Sequence, residues 1–113
     1  MTEYSRGDVV LVSFILADET GVKRRPAVII SSDTYHTGRD EAIIGAISSR
    51  TDRLLVGDHL IADWQSAGLL FPSVATGIIR TIRQDMINRR LGSLQAQDMG
   101  AVDSKLKLAL GLP

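Results

Sequence analysis

The chain has 113 residues, 44% of them hydrophobic but only 4% aromatic, and its thirteen basic residues are balanced by thirteen acidic ones. That length suits one domain, here 1–113, with a single core; neutrality argues against a bulk electrostatic nucleic-acid binder, so a nucleic-acid site would have to be a local patch. The absence of cysteine excludes disulfides, thiolate catalysis and cysteine zinc centres. No apolar run approaches the ~20 residues of a membrane span. Met1–Arg6 is polar and Val9–Ala17 is short and poorly flanked, so neither reads as a signal peptide. The expectation is a soluble cytoplasmic protein.

Gly7-Asp8 leads into Val9–Leu16, a continuous β-branched run that predicts a first strand buried on both faces, or nearly so. Ala17–Lys23, with a glycine and three further charges before Arg24, is expected to be a loop. Ala27–Ser31 is the second strand, Ser32–Asp40 a polar turn or excursion, and Glu41–Ser48 the third strand, with Gly45 marking a bulge or close packing. Arg50–Val56 reads as a loop or short edge segment and Asp58–Ile61 as a weakly alternating strand. Asp63–Ala67 reads as one helical turn capped by Asp63 and stopped by Gly68. Val74–Ile82 is expected to be the last strand, and Asp85–Arg90 a short helix ended by Gly92. Ser93 is then the N-cap of a final helix whose apolar face is Met99, Val102, Leu106 and Ala109/Leu110, stopped at Gly111. Four or five strands followed by a docked amphipathic helix predict a mainly β fold, a small antiparallel barrel with short helices at its end.

The stretch Lys23–Ser32, KRRPAVIISS, organises the rest. Pro26 pushes Arg25 towards an extended conformation and suits the first position of a strand, where its missing N–H costs no ladder bond. Arg25 is thereby held on stiff backbone at the rim of a sheet. If strands 25–31 and 41–48 pair across the 32–40 loop, residues whose numbers sum to 73 face each other, and Arg25 falls opposite Ser48. A guanidinium fork and a hydroxyl at one rim form a pair suited to a phosphodiester.

At these residues the chain resembles the MazF/PemK family of toxin ribonucleases from bacterial toxin–antitoxin pairs. The likeness is carried by RGDVVLVSF at Arg6–Phe14, RRPAVIIS at Arg24–Ser31, AIIGAISS at Ala42–Ser49, IRTI at Ile79–Ile82 and LALGL at Leu108–Leu112. It implies an SH3-like barrel with a C-terminal helix, usually a homodimer, that cleaves single-stranded mRNA at short sequences without metal or other cofactor. In that chemistry the substrate 2′-hydroxyl attacks its own phosphodiester and leaves a 2′,3′-cyclic phosphate. A cognate antitoxin protein that blocks the RNA groove is the implied partner. By resemblance, Arg25 takes the place of the catalytic arginine and Ser48 that of a threonine hydroxyl that holds the phosphate. Serine keeps the hydroxyl but loses the β-branch that restrains its rotamer. Arg24, Glu19, Arg50 and Arg80 are the further candidate RNA contacts, Glu19 lying with Asp18 in the loop that covers the site in the family.

One departure is plain. PemK-like members carry an arginine and then an acid after Pro-Ser-Val, whereas this chain reads Ala75-Thr76-Gly77-Ile78-Ile79. Arg80 or Arg83 would have to compensate, although strand alternation need not bring either inward. His36 is expected to be a solvated loop histidine, His59 a satisfied one on a strand edge, and Trp64 a packing residue. Arg53, Arg83, Arg89 and Arg90 also offer phosphate contacts, although most such residues form a solvated face. Two rival readings keep the fold: a CcdB-type toxin that binds gyrase without nuclease activity, and a weakened interaction module, against which the scarcity of aromatics counts.

Overall fold

The computed structural model describes residues 3–15 and 21–113. Its elements run β1 (Asp8–Ile15), β2 (Val22–Ile29), α1 (Asp33–His36), β3 (Glu41–Ser48), β4 (His59–Leu60), β5 (Val74–Arg83), a 3-10 turn (Gln84–Met86), β6 (Ile87–Ser93) and α2 (Ala96–Leu110). The six strands form one antiparallel sheet in the order β4-β5-β3-β2-β1-β6. The fold is mainly β with a C-terminal helix.

The continuous apolar runs of β1, β2 and β3 are buried on both faces. Val9, Val28 and Ile47 join Ile61, Leu69, Leu94, Met99 and Val102 in one core, under α2. Their neighbours in sequence, pointing the other way, build a second core from Val10, Val12, Ala27, Ile29, Ile44 and Ile82. The β2–β3 ladder pairs Ala27 with Ala46, Val28 with Gly45 and Ile29 with Ile44. Each pair sums to 73, as expected from the 32–40 connection. Gly45 leaves that register unshifted; the irregularity lies on the β5 side, between Gly45 and Ile47.

Four elements differ from the sequence expectations. First, β2 starts at Val22, so Pro26 lies inside the strand, opposite Leu11 of β1. The ladder to β3 ends at Ala27, and from Pro26 outward β2 is paired on one side only, which is where a strand tolerates a residue without an N–H. Second, the 32–40 excursion holds one helical turn, with the Ser32 hydroxyl accepting from the Tyr35 N–H at 3.1 Å. Third, residues 87–93 are a strand, not a helix. The spacing of Ile87 and Leu91 fits either, and the free edge of β1 decides, since β6 pairs with it from Val12↔Ile87 to Asp8↔Ser93. Fourth, Ser93 ends that strand and donates its hydroxyl to Asp8 Oδ1 at 2.8 Å. The helix is entered instead at Gln95, which makes no side-chain cap. Its far end is as expected: Gly111 adopts φ +70°, and the Leu112 N–H bonds the Lys107 carbonyl at 2.8 Å.

Residues 61–73 connect β4 to β5 and are pinned to β6. A Cβ on Gly68, whose φ is +81°, would lie 2.1 Å from the Leu91 carbonyl oxygen, and one on Gly92 would lie 2.6 Å from the Ala67 carbonyl. Only glycines allow the two backbones to come this close. Trp64 packs, half-buried, against the core beneath α2. No helix of the described chain is long and apolar enough to cross a membrane.

Candidate functional site

Strand alternation gathers the site. Arg25 continues the row of Ala27 and Ile29 on one face of β2. Ser48 continues the row of Ile44 and Ala46 on β3, and Ile44 is the partner of both Ile29 and Arg80. Arg25, Ser48 and Arg80 therefore share the face of the second core, Arg25 and Ser48 at the end where the β2–β3 ladder has stopped and Arg80 across from Ile44. There they line a cleft of about 840 Å³. Its other walls come from Phe14 of β1, Arg89 and Leu91 of β6, and the 68–73 segment, including Leu70 and Phe71.

The cleft is cationic and lacks acid. Its described lining holds three arginines and no aspartate, glutamate, lysine or histidine. Elsewhere arginines are spent on carboxylates: Arg6 on Asp103, Arg39 on Glu41, Arg50 on Asp52, Arg83 on Asp85 and Arg90 on Asp8. Among the described residues, none of Arg25, Arg80 and Arg89 has such a partner. An unpaired guanidinium against apolar walls keeps its field and its donors for an incoming anion. Arg80 is nevertheless held, because its Cζ lies 4.7 Å from the centre of the Phe14 ring, a cation–π contact.

Ser48 is half-buried, and its oxygen accepts the backbone N–H of Arg50 at 3.1 Å. That bond orients a hydroxyl that lacks a β-branch and leaves its proton free to donate into the cleft. Ser73, also in the lining, spends its hydroxyl on the Phe71 carbonyl at 2.8 Å.

The other sequence candidates separate. Arg24 is exposed on the opposite face of β2 and does not line the cleft. The Arg50 side chain turns to Asp52 at 3.3 Å, outside the cleft. Glu19 and Asp18 lie outside the described residues. Of the two arginines placed to compensate for the departure in β5, Arg80 reaches the cleft, whereas Arg83 faces Glu41 and bonds Asp85 at 2.8 Å. Thr76, within that stretch, turns its hydroxyl onto the Ala46 carbonyl at 2.7 Å. Arg89, one of the arginines that offered a phosphate contact, is exposed and lines the cleft, and the strand character of β6 places it there.

Neither histidine belongs to the site. His36 is 3% exposed, not solvated. Its Nε2 lies 2.5 Å from the Ser31 hydroxyl, which also accepts the Ile43 N–H at 2.9 Å. The serine that closes the RRPAVIIS motif thus ties α1 to β3. His59 donates to Asp98, as a satisfied strand-edge histidine would, at 2.7 Å.

A sequence model described as PemK-like, MazF-like toxin of type II toxin–antitoxin system matches residues 5–110. Among solved structures, a MazE–MazF complex from Deinococcus radiodurans superposes with a TM-score of 0.80 at 18% identity, over 99% of this chain and 100% of that one. An endoribonuclease bound to its cognate antitoxin from a mycobacterial species gives 0.76 at 21% identity, over 97% of both chains. A MazF toxin of Mycobacterium tuberculosis gives 0.76 at 21% identity, over 94% of this chain and 98% of that one. At such identities the superpositions speak for the fold.

Proposed function

The chain belongs to the PemK-like, MazF-like toxins of type II toxin–antitoxin systems, and from that premise we propose that it is a metal-independent, sequence-specific endoribonuclease acting on single-stranded mRNA in the cytoplasm. The observation that carries this reading is the convergence of Arg25, Ser48, Arg80 and Arg89 on a cleft with no acidic lining among the described residues. Such a surface attracts a phosphodiester strand and supplies donors to it. The protein as a whole carries no net charge, so the attraction is local.

The reaction asks little covalent chemistry of the protein. The substrate 2′-oxygen bonds to phosphorus, the bond from phosphorus to the 5′-oxygen breaks, and a 2′,3′-cyclic phosphate and a 5′-hydroxyl result. The 2′-proton leaves to solvent and the departing oxygen gains one. Arg25 donates to the phosphoryl oxygens, where negative charge grows in the transition state, and Ser48 adds one hydrogen bond whose direction the Arg50 N–H has set. Arg80 and Arg89 hold neighbouring phosphates and fix the strand in line for attack.

The solved relatives named for a cognate antitoxin and for MazE support an antitoxin partner, whose place we assign to this cleft. A homodimer is proposed from the apolar surface. Leu54, Leu55 and Val56 are 49–71% exposed and Leu108, Leu110 and Leu112 56–64%. The two groups adjoin where a Gly57 Cβ would meet Ala109 Cβ at 3.2 Å, and a patch of this kind usually marks a partner surface.

The test is incubation of the purified protein with a broad set of single-stranded RNAs in EDTA, with the ends of the products mapped. Cyclic phosphate and 5′-hydroxyl ends at a recurring sequence are expected. RNA left intact across the whole set would overturn the nuclease reading.

A further inference from the structure

The chain has only five aromatic residues, and four of them are at least partly packed. Phe71 alone is exposed, at 62%, and Leu70 beside it is 82% exposed, the most exposed large apolar residue among those described. Both lie in the wall of the arginine cleft, with Ile78, itself 63% exposed, also in the lining. A solvent-facing ledge of this composition is costly to keep unless something covers it.

The ledge is also stiff. Gly68 and Gly92 lock the segment's start against β6 by backbone approaches that no side chain would permit. Pro72 restricts the backbone of Phe71 to extended conformations, and the Ser73 hydroxyl holds the Phe71 carbonyl at 2.8 Å. An aromatic face that is already positioned loses little conformational freedom when a flat ligand covers it.

We propose that Phe71, flanked by Leu70 and Ile78, is a stacking platform for one unpaired nucleobase of the RNA strand, next to the phosphates held by Arg25, Arg80 and Arg89. The proposal rests on the nucleic-acid reading of the cleft and adds a base subsite to it. Charge complementarity chooses the occupant: a ligand that offers a flat apolar face beside three guanidiniums with no carboxylate partner among the described residues carries anions beside planar rings, as single-stranded RNA does. Phe71 has no polar atom on its ring, so it favours bases by stacking strength, and their identity is left to donors and acceptors elsewhere in the cleft.

The probe is a set of short 2′-O-methyl oligonucleotides, which lack the attacking hydroxyl, carrying 2-aminopurine at successive positions. Its fluorescence falls when it stacks. With the native protein, quenching is expected at one position. Phe71→Ala should lose that quenching and bind about ten- to a hundred-fold more weakly, while Phe71→Tyr restores both. Circular dichroism of Phe71→Ala matching the native protein shows that the fold is kept, and its quenching at the native level would overturn the platform. So would unchanged RNA affinity accompanied by dissociation of a dimer, or by loss of antitoxin binding, since the ledge would then belong to that protein surface. Native protein that binds and quenches but leaves unmodified RNA uncut sinks the nuclease reading and leaves the platform standing; native protein that binds none of the oligonucleotides sinks both.

Discussion

Arg25 stands two residues beyond Ala27 on β2, and Ser48 two residues beyond Ala46 on β3, where those alanines are the last partners of the ladder. Arginine and hydroxyl thus face each other across the gap that opens when the pairing stops, and both line the cleft. Arg25→Ala should lower the rate of RNA cleavage by about 10²- to 10³-fold, the usual cost of removing a donor aimed at developing charge. Ser48→Ala should lower it roughly ten- to a hundred-fold, the worth of a hydrogen bond to a charged group. Ser48→Thr should retain activity, because the β-branch restrains the same hydroxyl. Arg83→Ala, which removes an arginine already bonded to Asp85, serves as the comparison and should cleave at the native rate. Single-turnover cleavage of one mapped RNA site measures all four.

Arg80 offers a separate test, because its role is read from position and from its contact with Phe14 at 4.7 Å. A guanidinium bound to a phosphate releases about one counterion when that contact forms. Arg80→Ala should therefore weaken RNA binding and reduce the slope of log affinity against log salt by about one. Phe14→Leu keeps the charge but removes the ring that holds it, worth roughly 0.5–1 kcal/mol at a partly exposed site. A drop in affinity of about two- to five-fold with the salt slope unchanged is expected. The two variants together separate the charge from its positioning.

Part of this site is legible in the amino-acid sequence. The sum of 73 depends only on the length of the 32–40 connection and on antiparallel pairing, and one turn of helix inside that connection leaves it intact. Arg80 is legible as a candidate, but its direction depends on which face of β3 its partner Ile44 occupies. The place of Arg89 in the cleft is not legible. Ile87 and Leu91, four apart, satisfy a helical period as well as a strand, and the choice is made by the unpaired edge of β1, which lies some eighty residues earlier in the chain. His36 escapes for a related reason. A polar loop of Ser, Asp, Thr and Arg gives no local sign that its histidine turns inward to Ser31, since that contact is created by the turn itself.

Gly68 carries the wall on which Phe71 sits, and it can be tested by stability alone. Gly68→Ala places a Cβ 2.1 Å from the Leu91 carbonyl at a φ of +81°. Crowding of backbone and a left-handed conformation each cost about 1–3 kcal/mol, so a loss of roughly ten degrees or more in Tm is expected. Gly100→Ala is the contrast. It lies in α2 with nothing within 4 Å of the new methyl group, and alanine is the better helix former by about 1 kcal/mol. That variant should melt higher than the native protein in the same calorimetric experiment. Similar losses in both would mean that the approach of residues 67–68 to β6 is not what holds the wall.

Asp98 ties the first turn of α2 to the segment after β4, and pH reads its contribution. The carboxylate is 2% exposed and accepts from His59 Nε2 at 2.7 Å, the Ala62 N–H at 2.8 Å and the Asp63 N–H at 2.9 Å. Burial works against its ionisation, but the bonds from His59 and the two backbone donors outweigh it and hold the carboxyl below its ordinary range. A group whose folded pKa is depressed stabilises the protein fully above its unfolded pKa, near 3.9, and loses that contribution as pH falls towards the folded value. Asp98→Asn should cost about 1–3 kcal/mol at pH 7, because an amide supplies one neutral acceptor to donors that had a charged carboxylate. Urea unfolding at pH 7, 5, 4 and 3 should then show the gap between native and variant narrowing below about pH 4. A gap of constant size across that range would mean that Asp98 contributes through packing and not through its charge.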